Sequence, residues 1–218
     1  MPRKIFFSLI WVGFLGYAFL IAPAATPDTL DLIIDLSAGN WSEINPLVVS
    51  LFNLMGILPA TYACLLLFDG RRQKIPAWIF VIGSFGLGAF ALLPYLTLRE
   101  PNTVWDGEKN RLLKILESPI IGIALMLGAI SLIGSGIIYG DWGDFVLQWQ
   151  NSQFIHVMSL DFCLLSLLFP TLVKDDSIRR GIKNPEMFWL ISFIPLFGAL
   201  LYLCLRSPLS KENQLANA

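Results

Sequence analysis

Six uninterrupted apolar blocks constrain this chain more than any other feature: Ile5–Ala25, Pro46–Phe68, Ile75–Leu98, Ser118–Tyr139, Phe154–Val173 and Met187–Leu205. Each runs to about twenty residues, the length at which a helix rising about 1.5 Å per residue crosses roughly 30 Å of hydrocarbon. None alternates apolar with polar residues as a barrel strand does. A helix satisfies its own backbone in lipid, so helical crossings are the reading the blocks impose. Only 14% of the residues are charged, against roughly a quarter in soluble domains, so the chain lacks the polar surface a water-facing protein needs. The expectation is an all-α, polytopic transmembrane bundle of about six helices. Lys plus Arg number 15 against 16 acids, and with no basic excess nucleic acid is not an expected partner. The lipid bilayer is.

The first block also has the parts of a cleavable signal peptide: Arg3-Lys4, an apolar run, then Ala22-Pro23-Ala24-Ala25. Signal cores run about 7–15 residues, and this one approaches twenty, which favours a retained first helix.

The sequence echoes itself. Gly39-Asn40-Trp41-Ser42-Glu43 is matched by Gly140-Asp141-Trp142-Gly143-Asp144, and the stretch from Phe90 to Pro101 by that from Phe197 to Pro208. The second pair shares Tyr-Leu-x-Leu-Arg-x-Pro, built on Tyr95 and Arg99 in one copy and Tyr202 and Arg206 in the other. A charged turn sits between the markers in both halves and ends near Pro76 or Pro185, prolines suited to a helical first turn. Residues 1–101 and 102–218 therefore read as two three-helix repeats joined by the polar linker Glu100–Lys114. Three crossings reverse the chain, so the two repeats are expected in inverted topology, an arrangement common in transporters.

On that six-crossing reading the orientation is balanced. Arg3, Lys4, Arg71, Arg72, Lys74, Arg206 and Lys211 fall on one face. Arg99, Lys109, Arg111, Lys114, Lys174, Arg179, Arg180 and Lys183 fall on the other. The positive-inside rule needs a bias. Arg3-Lys4 before the first helix and the acidic loop Thr26–Asn45 favour an inside N-terminus. Trp41, Trp142 and Trp149 fall at predicted membrane edges and read as interfacial anchors. Arg99 and Arg206 close helices, where a cation meets the negative helix pole and can snorkel to the interface.

Within the blocks the ionisable Asp, Glu, Lys, Arg and His reduce to two, His156 and Asp161, both on the fifth. An intramembrane Asp carries a penalty of about 2.5–3.5 kcal/mol and is a functional candidate by default. Asp161 lies about seven residues into its helix, roughly 10 Å deep, and Asn53, Tyr62 and Tyr202 are its candidate partners. Five residues separate it from His156, about 140° around the helix, so the two do not pair. Asp161 can serve as a helix-bridging group or as a proton or cation site. His156 can serve as an axial ligand to chlorophyll or haem.

Nothing marks an enzyme: the chain has no P-loop, GxSxG, HExxH or clustered carboxylates, and no catalytic residue is assigned. Cys64, Cys163 and Cys204 stand singly in apolar blocks with no metal-ligand spacing. No metal and no firm cofactor is expected. The pair Asp175-Asp176 shares a turn with Arg179 and Arg180 and reads as solvated charge. The glycines of the third and fourth blocks, with GxxxG spacing at Gly136 and Gly140, allow close helix packing.

Gly140-Asp141-Trp142, the segment Ser152–Leu165, Asp175-Asp176 with Arg179-Arg180, and the ending from Pro195 to Arg206 together resemble multi-pass membrane proteins of cyanobacteria and chloroplasts. A looser similarity is to small bacterial membrane proteins with an intramembrane Asp followed by an Arg-bearing turn. The resemblance covers about residues 110–208, and its motifs carry no established chemistry. It implies a thylakoid or plasma-membrane setting and nothing about catalysis. With the absence of catalytic motifs and the short loops, which leave little room for a soluble active site, it points to an accessory or assembly role in a larger photosynthetic complex. A transporter or channel using Asp161, or a pigment-binding protein using His156, are the alternatives. The first half departs from the pattern, since matching Ser50-x-Phe52 to Ser152-x-Phe154 sets Pro59 opposite Asp161.

Overall fold

A computed structural model describes residues 2–105, 108–182 and 185–209. Lys183, Lys211 and the linker pair Asp106-Gly107 lie outside the described residues. Among those described there are helices and no strand. They run α1 (Pro2–Leu20), α2 (Thr29–Ala38), α3 (Pro46–Asp69), α4 (Ala77–Leu87), α5 (Ala89–Leu98), α6 (Arg111–Glu117), α7 (Pro119–Tyr139), α8 (Trp142–Asn151), α9 (Gln153–Leu168), α10 (Pro170–Arg179), α11 (Pro185–Ile191) and α12 (Phe197–Leu205).

Four helical runs are long and apolar enough to cross a membrane: Pro2–Leu20, Pro46–Arg72, Pro119–Tyr139 and Gln153–Arg179. The first, second, fourth and fifth apolar blocks therefore become continuous helices. The long central pair starts cleanly. Asn45 and Ser152 cap α3 and α9 by accepting from the N–H groups of Leu47 and Ile155, which satisfies donors that a helix start leaves open. Pro170 divides α10 from α9. The Tyr62 hydroxyl of α3 reaches across to the Leu165 carbonyl at 2.6 Å, a second donor to a carbonyl that the Phe169 N–H meets at 3.3 Å. α3 and α9–α10 run side by side in the same direction. Phe52 meets Phe154 near their starts, Tyr62 meets Phe169 midway, and Asp69 meets Arg179 at their ends.

The third and sixth blocks behave differently. α4 and α5, of 11 and 10 residues, are each about 15 Å long, half a bilayer. They fold back on each other. Gly83 faces Ala91, the Phe80 ring lies 5.6 Å from Tyr95, and the chain turns at Gly88 with φ 51° and ψ −128°. α4 leaves from beside Gly70, and α5 returns to place Arg99 on Asp69. The sixth block repeats the pattern with the shorter α11 and α12. It turns near Leu196, with φ 58°, and brings Arg206 back to 3.6 Å from Asp176. Of the six expected crossings, four are present as helical runs long enough to span, and the third and sixth blocks are each broken into two short helices. Length concealed this, since a 24-residue apolar block can make one crossing or two half-crossings.

The first shared motif keeps its place in part. Gly39, with φ 85°, ends α2, and Gly140 ends α7, so each glycine closes one helix ahead of the next. The tryptophans part ways: Trp41 lies in the loop before α3 and donates to the Leu36 carbonyl, whereas Trp142 is the first residue of α8, which Asp141 caps by accepting from the N–H groups of Gly143 and Asp144.

Candidate functional site

The chain ends of α3, α5, α10 and α12 gather in one buried ionic cluster. Asp69 receives the Tyr95 hydroxyl at 2.8 Å, Arg99 Nε and Nη2 at 2.9 and 2.7 Å, and Arg179 Nη2 at 3.0 Å. Asp176 receives the Tyr202 hydroxyl at 2.7 Å, Arg180 Nε at 2.7 Å and Arg179 Nη1 at 3.0 Å. Asp175 binds Arg99 at 2.6 Å, and Glu117 binds Arg180 and Lys109. Arg206 donates to the carbonyls of Cys64 and Leu116. Burial works against the charge on Arg99, but the hydrogen bonds and charges of Asp69 and Asp175 overcome it and its pKa rises. For Arg206, burial and the neighbouring Arg180 win, and the pKa falls.

Three of the residues in each half keep identical spacing. Tyr95 and Arg99 lie 26 and 30 positions after Asp69, and Tyr202 and Arg206 stand in the same relation to Asp176. In both halves the Asp closes a central helix, and the Tyr and Arg come from the returning arm of the hairpin. Arg99 and Arg206 therefore do not snorkel; they are 1% and 4% exposed. Asp176, Arg179 and Arg180 are likewise buried rather than solvated, and only the partly exposed Asp175 keeps some contact with water. Sequence reasoning missed Asp69 and Asp176 as partners because it placed both in turns. The shared Asp–Tyr–Arg spacing was the signal available.

Asp161 is the opposite case. It is 6% exposed, and its Oδ1 accepts from the Ala89 N–H at 2.8 Å, capping α5 at the tip of the first hairpin. Its Oδ2 lies against Gly88, where any Cβ would collide with it, so the hairpin tip is glycine for space as well as for its positive φ. None of the expected partners reaches it. Asn53 bonds within its own helix, Tyr62 bonds Leu165 and Tyr202 bonds Asp176. The carboxylate opens instead onto a cavity of about 310 Å³ between α1, α3, α9 and the hairpin tip, whose lining includes Ser84, Gln153 and several phenylalanines but no Lys, Arg or His among the described residues.

His156 is buried nearby and is engaged on both ring nitrogens. Nδ1 lies 2.9 Å from the Trp149 carbonyl and Nε2 lies 2.8 Å from the Tyr17 hydroxyl. A carbonyl only accepts, so Nδ1 carries a proton, and in the neutral ring Nε2 then accepts from the Tyr17 hydroxyl. An axial bond to a pigment metal would need that Nε2 lone pair and would displace Tyr17. The ring also stacks on Trp149 at 4.2 Å, which ties α1, α8 and α9 together. Trp149 thus acts as a packing partner, while Trp41 and Trp142 stay largely exposed at the same end of the bundle. Among the described residues no group of His, Cys, Asp or Glu could hold a metal ion. Comparison with protein-family models, with curated proteins and with solved structures gives no match.

Proposed function

We propose that this chain is a small membrane carrier or channel that moves a cation by way of Asp161. The carrying observation is an intramembrane carboxylate with no countercharge, set at the tip of a helical hairpin and open to a cavity. Such a carboxylate is retained against its desolvation penalty where it serves an ion path. Non-helical backbone at membrane depth is tolerated where it is buried in protein or lines a cavity, and broken helices of this kind frame the ion sites of many transporters.

The accompanying membrane disposition is four crossings and two re-entrant hairpins. Each half then makes two crossings and one hairpin and returns to the side it left. The halves are therefore parallel duplicates about an axis along the membrane normal. All thirteen described Lys and Arg fall at the end of the bundle that holds the ionic cluster and the start of α1. The other end carries Asp28, Asp31, Asp35, Glu43, Asp141 and Asp144. The positive-inside rule then sets the N-terminus and the cluster on the cytoplasmic side, with the cavity facing away from it.

Purified protein in liposomes tests the transport reading. Cation or proton flux that is lost in Asp161→Asn, with the variant still folded, supports it. Equal flux in the variant overturns it.

The resemblance to cyanobacterial and chloroplast membrane proteins supports a second reading, an accessory or assembly component of a photosynthetic complex in a thylakoid or plasma membrane. Mild-detergent extraction followed by native sizing, with an absorption spectrum of each fraction, separates the two. Co-migration with a large pigmented complex supports the accessory role. A small colourless species removes both that role and pigment binding at His156.

A further inference from the structure

We infer that the Asp161 cavity takes an organic monocation, a tertiary or quaternary ammonium group carried on short apolar arms. This rests on the cation-transport reading and names its substrate class. The walls supply the argument. Phe52, Phe90 and Phe154 line the cavity, Phe19 and Phe85 stand more exposed at its edge, and Asp161 contributes a single negative charge. Aromatic faces attract a cation through their quadrupoles, and a quaternary ammonium is the cation they suit best because it has no tightly held water to lose. Phe90 is held in place by Phe14, whose ring stacks on it at 4.3 Å.

The same walls are poor for an inorganic ion. Calcium and magnesium require six or more oxygens or retained water. Here the side chains that line the cavity offer few oxygens: the Asp161 carboxylate, the Ser84 and Thr29 hydroxyls and the Gln153 amide. A divalent ion would also leave a net charge beside one carboxylate. A cavity of about 310 Å³ lies at the small end of the range for organic ligands. The acidic end of the molecule, with no Lys or Arg among its described residues, raises the local concentration of any cation approaching it.

The test uses the full chain in maltoside detergent, titrated calorimetrically with choline and with its neutral isostere 3,3-dimethylbutan-1-ol. Choline is expected to bind saturably and at least about ten-fold tighter than the alcohol, because only the cation engages the carboxylate and the ring faces. Asp161→Asn is expected to abolish that preference. Phe154→Leu, which keeps the charge, is expected to weaken choline while leaving the alcohol unchanged, and it serves as the second probe should the Asn variant fail to fold. Equal affinity for the two probes overturns the inference and makes the cavity a plain apolar groove. Absence of choline binding, together with Asp161-dependent flux of protons or of potassium, overturns it while leaving the transport reading intact. Choline binding without flux of any cation sustains it and removes the transport reading instead.

Discussion

The two ends of this bundle bury charge in opposite ways. At one end Asp69 receives a tyrosine hydroxyl and guanidinium groups from α5 and α10, and Asp176 receives the Tyr202 hydroxyl from α12 and the guanidinium groups of Arg179 and Arg180 from the end of its own helix. Towards the other end Asp161 has one backbone N–H and a cavity. A buried ion that the fold supplies with partners becomes a clamp, because removing any one partner strands the rest. A buried ion left without a countercharge clamps little and remains available to a ligand. The two kinds of buried carboxylate are thus told apart by their neighbours, since all three are nearly excluded from solvent.

That contrast is sharpest in the clamp itself. Asp176→Ala leaves Arg179, Arg180 and Arg206 facing one another without their shared carboxylate, an expected loss of about 3–5 kcal/mol. Thermal unfolding in detergent measures it, and a change below about 1 kcal/mol would show that water, rather than the protein, satisfies the cluster. Next comes the hairpin tip. Gly88→Ala combines a positive φ with a collision against Asp161 and is expected to lose about 3 kcal/mol. In an Asp161→Ala background the collision disappears, so the same substitution should be less damaging. An undiminished loss would mean that backbone strain alone keeps the glycine.

Tyr95→Phe and Tyr202→Phe each remove one hydroxyl from a buried carboxylate, worth about 2 kcal/mol. Equal losses would support the two Asp–Tyr–Arg sets as matching parts. A large loss in one alone would break that equivalence. Smallest of all is Asp161→Asn. Its amide oxygen can still accept from the Ala89 N–H, so stability should move by less than about 1 kcal/mol, while flux, on the proposed function, falls away. A destabilisation comparable to that of Asp176→Ala would move Asp161 into the structural class.

The two halves also show where a sequence match is worth trusting. The Tyr-Leu-x-Leu-Arg-x-Pro echo survives folding because its residues carry contacts: both tyrosines and both arginines converge on an aspartate at a fixed distance along the chain. The Gly-x-Trp echo survives only at its glycine: Gly39 and Gly140 end α2 and α7, but Trp142 opens α8 whereas Trp41 stands in the loop before α3.

Composition and block length by themselves determined that the chain is helical and apolar enough for a bilayer, because hydrocarbon thickness fixes the length of a crossing and backbone hydrogen bonding fixes its form. They also marked Asp161 and His156, since a polar residue inside an apolar run stands out in one dimension. Only the tertiary structure decided that the third and sixth blocks turn back. A hairpin is defined by contacts between its own arms, such as Gly83 with Ala91, and an apolar run carries the same composition whether it passes through or returns. The same decision gathered every described Lys and Arg at one end and turned an apparently balanced charge count into a one-sided one. It also moved Arg99 and Arg206 from expected interfacial contact into the core, because the partners that make their burial tolerable lie far along the chain, Asp175 being 76 residues from Arg99 and the Cys64 carbonyl 142 from Arg206.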